Sequence, residues 1–155
     1  MAKEQFTEDI VEIERLLRWV CTSIKRKGRD ILTDFEITPP QFDALLQLIK
    51  NGDLTIGELS NKMYLACSTI TDLIDRMEKN QLVERVRDNK DRRVVRIRVL
   101  EKGNKLIEEV LDTRRNYLQE VLSDVGDKEK QGLIHALHMI HTRTEAECDC
   151  MNMKD

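Results

Sequence analysis

The chain has 155 residues, a formal net charge of −3, and 35% charged residues against 4% aromatics, a balance that fits one helix-rich domain better than a β-sandwich. No apolar window approaches the length of a membrane span, and Met1-Ala2-Lys3-Glu4-Gln5 lacks the apolar run of a secretory leader. The expectation is a cytoplasmic protein with no membrane partner and no cofactor, in which Cys21, Cys67, Cys148 and Cys150 are thiols rather than a disulfide framework.

Residues 6–35 read as one long helix. Phe6, Ile10, Ile13, Leu17, Val20 and Ile24 recur at alternating steps of four and three, which is the seam of a coiled coil. Lys25-Arg26-Lys27-Gly28-Arg29 interrupts the seam, and Ile31, Leu32 and Phe35 resume the apolar face. Thr38-Pro39-Pro40 restarts the chain, with Thr38 as a cap and Pro39 at the first helical position. A second helix follows to Asn51, with Phe42, Leu45, Leu46 and Ile49 inward and Gly52 ending it. Leu54 is positioned for a short strand. Thr55-Ile56-Gly57-Glu58 is a capping box that opens a third helix.

Residues 54–100 organise the rest. Ile56, Leu59 and Met63 repeat at helical spacing, and after a break Ile70, Leu73, Ile74 and Met77 form one stripe. Ser68, Asp72, Asp75 and Lys79 face the other way, with Thr71 and Arg76 on the flanks. The start of this fourth helix lies between Ala66 and Thr69. The period then changes: Val83 and Val86, then Val95, Ile97 and Val99, sit among charged residues as in strands, with Asn89-Lys90-Asp91-Arg92 as a polar turn. From Glu84 to Arg98 there are seven basic residues against three acidic ones, a net of +4 in a chain of −3. Two helices, a tight turn and a basic hairpin make a winged helix-turn-helix pattern suited to DNA. Ser68, Thr69, Thr71 and Asp72 are candidates for base edges, Asp72 by accepting from a cytosine amino group. Arg76, Arg87, Lys90 and Arg92 are candidates for phosphates.

Asp88-Asn89-Lys90-Asp91-Arg92-Arg93 resembles the D-x-R-D-x-R wing signature of the MarR (multiple-antibiotic-resistance regulator) family, with Lys90 in place of the first Arg. Leu59-Ser60, Ser68-Thr69-Ile70-Thr71, Asp75-Arg76-Met77-Glu78, Gln81-Leu82-Val83-Glu84-Arg85 and Arg98-Val99-Leu100-Glu101-Lys102-Gly103 extend the likeness across residues 38–105. The resemblance implies that Arg93 enters the minor groove while Asp91 orients its guanidinium, the two sharing one face of an extended strand. It also implies that the flanking helices build a homodimer and that the DNA is a double-stranded pseudo-palindromic operator. Gln81 stands where the family commonly has glycine, so the turn into the wing is expected to be strained or tighter.

Beyond the wing, a helix is expected from Glu101 to about Val125 and another over residues 128–147, with Leu133, Leu137 and Ile140 inward and a frayed end after Cys148. His138, His141, Glu145 and Cys148 follow at steps of three, four and three, ligand types for zinc or another soft metal, or an ordinary hydrophilic flank. Cys21 and Cys67 are candidates for redox sensing, or inert small residues. Trp19 and Phe42 are candidates for lining a small-molecule effector pocket, or core aromatics. No nucleophile–base pair or phosphate-cradling loop points to an enzyme.

The fold expected is mainly α with a small β-wing: an N-terminal dimerisation helix (residues 1–37), a winged helix-turn-helix DNA-binding core (38–100), and C-terminal dimerisation helices with a tail (101–155). The function expected is a sequence-specific DNA-binding transcription regulator, a repressor relieved by a small molecule or a redox signal. The alternatives are a winged-helix protein-interaction module without DNA binding, or a metal- or thiol-responsive regulator.

Overall fold

The computed structural model describes residues 6–152, with side chains described as far as Glu145. Among the described residues the elements are α1 (Glu8–Asp34), α2 (Pro39–Asn51), α3 (Ile56–Met63), α4 (Cys67–Lys79), β1 (Val83–Arg87), β2 (Val95–Val99), α5 (Glu101–Val121) and α6 (Asp127–Asn152). This is the expected mainly α fold with a two-stranded wing. None of the described helices is long and apolar enough to cross a membrane. The chain forms two compact units, Met1–Arg115 and Asn116–Asp155.

In the first unit, local chemistry sets the helix starts. Thr38 and Gln41 exchange a capping box at α2, and Thr55 and Glu58 do the same at α3, where the Glu58 carboxylate accepts from the Thr55 N–H at 2.8 Å. Gly52 closes α2 at φ 79°. The strands pair antiparallel in register Val83↔Val99 to Arg87↔Val95, and Leu54 adds one bridge to Ile97. The core gathers the apolar stripes of these elements: Leu45, Leu59, Ile70, Ile74, Met77 and Ile97 are completely buried. Ile31 and Leu32 at the end of α1 and Ile107 and Val110 at the start of α5 join them, so the core reaches past residues 38 and 100 on both sides. Gly103 lets α5 approach closely, because a Cβ there would stand 2.5 Å from the Leu82 carbonyl oxygen.

Among the described residues, three non-glycine residues take the left-handed backbone: Glu36 (φ 55°), Tyr64 (φ 53°) and Gln81 (φ 60°). Each follows a helix end and turns the chain into the next element. At the middle one, Ser60, itself buried, donates its hydroxyl to the Leu65 carbonyl at 2.5 Å and holds the helix-turn-helix turn closed. The strain expected at Gln81 is therefore present.

The long apolar seam of α1 is largely uncovered. Phe6, Ile10, Ile13, Leu17, Val20 and Ile24 are exposed, and only Gly28, Ile31 and Leu32 of this helix are buried. In the second unit, of the residues expected inward, Leu133 and Leu137 are 43% and 53% exposed and Ile140 is half-buried. The helix α5 stops at Val121 rather than near Val125, because the N–H groups of Ser123 and Val125 bond three residues back and tighten the chain into a turn. The backbone of α6 runs to Asn152, past the expected end.

Replacing Gln81 by glycine should raise stability by about 1 kcal/mol, since the left-handed conformation costs an L-residue roughly that much. Chemical denaturation reads this directly; a Gln81→Gly variant less stable than the parent would show that its side chain contributes more than its backbone costs.

Candidate nucleic-acid interface

Helix α4 carries the side chains available to a groove. It begins at Cys67, with Ala66 as an extended N-cap that offers no side-chain acceptor, so the N–H groups of the first turn are left for other partners. The stripe Ile70, Ile74 and Met77 is fully buried. That burial turns Ser68, Thr69, Asp72 and Arg76 outward, and all four are exposed. Thr71 is half-buried and donates its hydroxyl to the Cys67 carbonyl at 2.9 Å.

The basic hairpin separates into two classes of residue. Three of its arginines are tied to carboxylates. Arg85 on β1 reaches back to α4, placing Nη2 2.6 Å from Asp75 Oδ1 and Nη1 2.5 Å from Glu78 Oε2. Arg96 on β2 donates to Asp88 Oδ2 at 2.5 Å, to Glu58 Oε2 at 3.1 Å and to the Asp53 carbonyl at 3.2 Å. Arg98 donates to Asp53 Oδ2 from two nitrogens, at 3.0 and 2.7 Å. The remaining four, Arg87, Lys90, Arg92 and Arg93, are exposed and form no ion pair among the described residues. These four are the wing cations singled out from the sequence.

The wing tip is built by its acids. Asp88 Oδ1 accepts from the N–H groups of Lys90 and Asp91, at 2.8 and 3.2 Å. Its other oxygen holds Arg96. Asp91 and Arg93 do not share a strand face, because the ladder ends at the Arg87–Val95 pair and both residues lie in the turn. Asp91 Oδ1 accepts from the backbone N–H of Arg93 at 3.0 Å, so here it orders the backbone under Arg93 rather than the guanidinium. Sequence reading missed Asp88, Arg96, Asp53, Glu58 and Arg85 as a structural set. An aspartate immediately before a polar turn is a readable turn signal; partners some forty residues apart are not.

The other candidate residues lie elsewhere. Trp19 is exposed on α1 beneath Arg15, whereas Phe42 is buried with the Arg114 guanidinium 4.6 Å above its ring. Cys21 and Cys67 are exposed free thiols. On α6, His141 Nδ1 is 3.6 Å from Glu145 Oε2, and His138 Nδ1 lies 3.4 Å from the Thr142 hydroxyl. The side chains of Cys148 and Cys150 fall outside the described residues. Among those described, no three histidines, cysteines or carboxylates stand where they could hold a metal ion.

The model of the MarR family matches residues 37–95. An uncharacterised HTH-type transcriptional regulator of Bacillus subtilis, YsmB, is 56% identical over 122 residues, covering 79% of this chain and 84% of that protein. The HTH-type transcriptional repressor MdtR of the same organism is 30% identical over 118 residues, 76% of each chain. Among solved structures, a MarR family protein from Bacillus stearothermophilus superposes with a TM-score of 0.84 at 51% identity, covering 91% of this chain and 99% of that one.

The Arg96 guanidinium, with the N–H groups of Lys90 and Asp91, holds the Asp88 carboxyl down at about 2. A lowered carboxyl value means that its stabilisation is complete above the ordinary aspartate value of about 3.9 and is lost as pH falls through the folded-state value. An NMR titration of Asp88 should give a midpoint near 2, rising toward the ordinary value in Arg96→Met. An ordinary midpoint in the parent would show that the hub does not form in solution.

Proposed function

This chain belongs to the MarR family and is a DNA-binding transcription regulator, and we propose that it is a homodimeric repressor that reads its operator through α4 in the major groove and the wing tip beside it. The observation that carries this reading is the division of the wing's arginines. Three are spent on fixing the hairpin, and the four left free are gathered at its tip, next to an α4 whose outer face presents Ser68, Thr69 and Asp72. Free cations on a rigid hairpin suit phosphates and a narrow minor groove; short polar side chains at a helix N-terminus suit base edges. Arg76, exposed two turns along α4, serves as a further phosphate contact.

The family and its relatives are transcription regulators, not enzymes. The protein-interaction alternative rests on Asp72 and Asp75 of the exposed α4 face; Asp75 is held by Arg85, Asp72 is exposed, and the Arg-rich wing argues against that alternative. Repression follows the relative named as a repressor, and its relief by a small molecule or an oxidant remains part of the proposal. Dimerisation answers the uncovered seam of α1 and the exposed Leu118, Leu133 and Leu137 of the C-terminal helices, which together call for an obligate interface on the order of 2,000 Å² or more. A two-fold dimer then matches two half-sites about one helical turn apart.

Sedimentation of the protein at micromolar concentration should show a dimer; a monomer there would remove the two-fold operator with it. With an operator recovered by selection from random DNA, Arg93→Ala should cost about 1–3 kcal/mol of affinity. Asp91→Ala should cost less, and the double variant less than the sum, since both act through one contact. Lys90→Ala should weaken operator and random DNA alike and reduce the salt slope by about one. Operator affinity unchanged in Arg93→Ala would make the wing assignment wrong.

A further inference from the structure

Helices α2 and α3 meet at an open groove of about 410 Å³. Pro40, Asp43 and Gln47 recur at steps of three and four along one face of α2, with Leu46 beside them, and Lys62 and Met63 reach the groove from the last turn of α3. The left-handed Tyr64 then turns the chain, and Leu65 completes the lining. The groove shares no residue with the DNA-facing set or with the uncovered seams of α1 and α6.

Its base is apolar. Leu46 and Met63 pack against the core and are half-buried, and Leu65 remains 37% exposed. An apolar group laid on this strip leaves water against three side chains at once, and the thioether of Met63 favours an aromatic ring over an aliphatic chain.

The polar groups at the groove come in both signs. Asp43 and Lys62 are exposed, and neither side chain forms an ion pair or hydrogen bond among the described residues, with the other or elsewhere. Gln47 is half-buried; its side-chain carbonyl accepts from the Asn51 amide at 3.2 Å, while its NH₂ has no partner among the described residues. Two donors, the Lys62 ammonium and the Gln47 NH₂, suit a carboxylate, and the Asp43 carboxylate suits an ammonium. A ligand of one sign answers only one of the two charges; a zwitterion answers both.

We propose that this groove binds an α-amino acid with an aromatic side chain. The α-carboxylate meets Lys62 and Gln47, the α-ammonium meets Asp43, and the ring lies on Leu46, Met63 and Leu65. Each ionic contact stands at the surface and is weak alone, so selectivity comes from meeting both at once. The binding does not depend on how α4 reads DNA.

The test uses the full chain without DNA and three ligands that share one phenyl ring: L-phenylalanine, phenethylamine, which lacks the carboxylate, and 3-phenylpropionate, which lacks the ammonium. NMR titration of the backbone amide signals should find one L-phenylalanine per protomer, bound at least about fivefold more tightly than either analogue, with the shifts centred on residues 40–47 and 62–65. Asp43→Asn should remove the preference for L-phenylalanine over 3-phenylpropionate, and Lys62→Met the preference over phenethylamine. Both variants should melt at the parent's temperature, since neither side chain has a partner to lose. Equal binding of L-phenylalanine and either analogue, shifts centred elsewhere, or preferences unmoved by the two substitutions overturn the site. So does the absence of saturable L-phenylalanine binding below about 10 mM. The parent's discrimination among the three ligands decides the matter even if a variant fails to fold, and failure of the parent to bind DNA would sink the regulator reading and leave this result standing.

Discussion

The structure depends on two arginines that tie a two-stranded hairpin to the helices beside it. A lone hairpin is marginal in water, and this one buries little of its own: Val83 and Ile97 face the core, while Val95 is 42% exposed. Arg85 fastens β1 to α4 through Asp75 and Glu78, and Arg96 fastens β2 to the N-terminus of α3 through Glu58. Individually such partly exposed pairs are worth less than about 1 kcal/mol, so their importance is geometric. A guanidinium is a planar fork that bonds in several fixed directions at once. Arg96 uses this to hold Asp88, the Asp53 carbonyl and the capping carboxylate of α3 together. The wing tip and α4 are thereby tied into one body, as the proposed contact with adjacent grooves requires.

The same pairing explains how a chain of net charge −3 presents a positive face. Carboxylates at residues 53, 58, 75, 78 and 88 neutralise the arginines at the base of the wing and leave its tip uncompensated. The acidity of the rest of the molecule then opposes non-specific adsorption to DNA, while the local field at the tip acts over about a Debye length, roughly 8–10 Å in physiological salt. Asp72, exposed on the side of α4 proposed to face the groove, extends this logic. An acid there repels phosphate unless a base-edge donor receives it, which trades affinity for discrimination.

Much of this was legible in the residues. Thr38 as a cap and the capping box at Thr55 announced two helix starts, the Ile70–Ile74–Met77 stripe gave the orientation of α4, and Gln81 where the resembling family has glycine pointed to a strained or tighter turn. Residues 88–93 marked the wing, and its free cations could be named before the structure. What escaped was long-range. Nothing in the spacing of Arg85, Arg96 and Arg98 distinguishes an arginine committed to a carboxylate from one left for phosphate, because the difference lies in which acids the fold brings opposite. Asp91 was misread for a local reason: two residues apart share a face only if the strand continues, and the Asx-type bonds of Asp88 had already ended it. The exposed seams of α1 and α6 look in sequence like inward faces, since periodicity reports that a stripe will be buried but not by what.

Rigidity and compliance are distributed unevenly through this unit. The wing and both helices of the helix-turn-helix are cross-linked by ion pairs and share one buried core. The three left-handed residues instead stand where helices end, at Glu36, Tyr64 and Gln81. Tyr64 is secured by the Ser60–Leu65 bond inside the cross-linked body. Glu36 and Gln81 stand at the junctions with α1 and α5, and the second is held by its own N–H to the Glu78 carbonyl, by the Leu82 N–H to the Met77 carbonyl, by the Leu100 N–H to the Leu82 carbonyl, and by the Lys102 ammonium on the Asn80 carbonyl. Both long helices that leave the junctions carry apolar surface that one protomer does not cover. In the proposed dimer, whatever fixes α1 and α5 also sets the separation of the two α4 helices, the quantity that the proposed pair of half-sites on a stiff duplex would read.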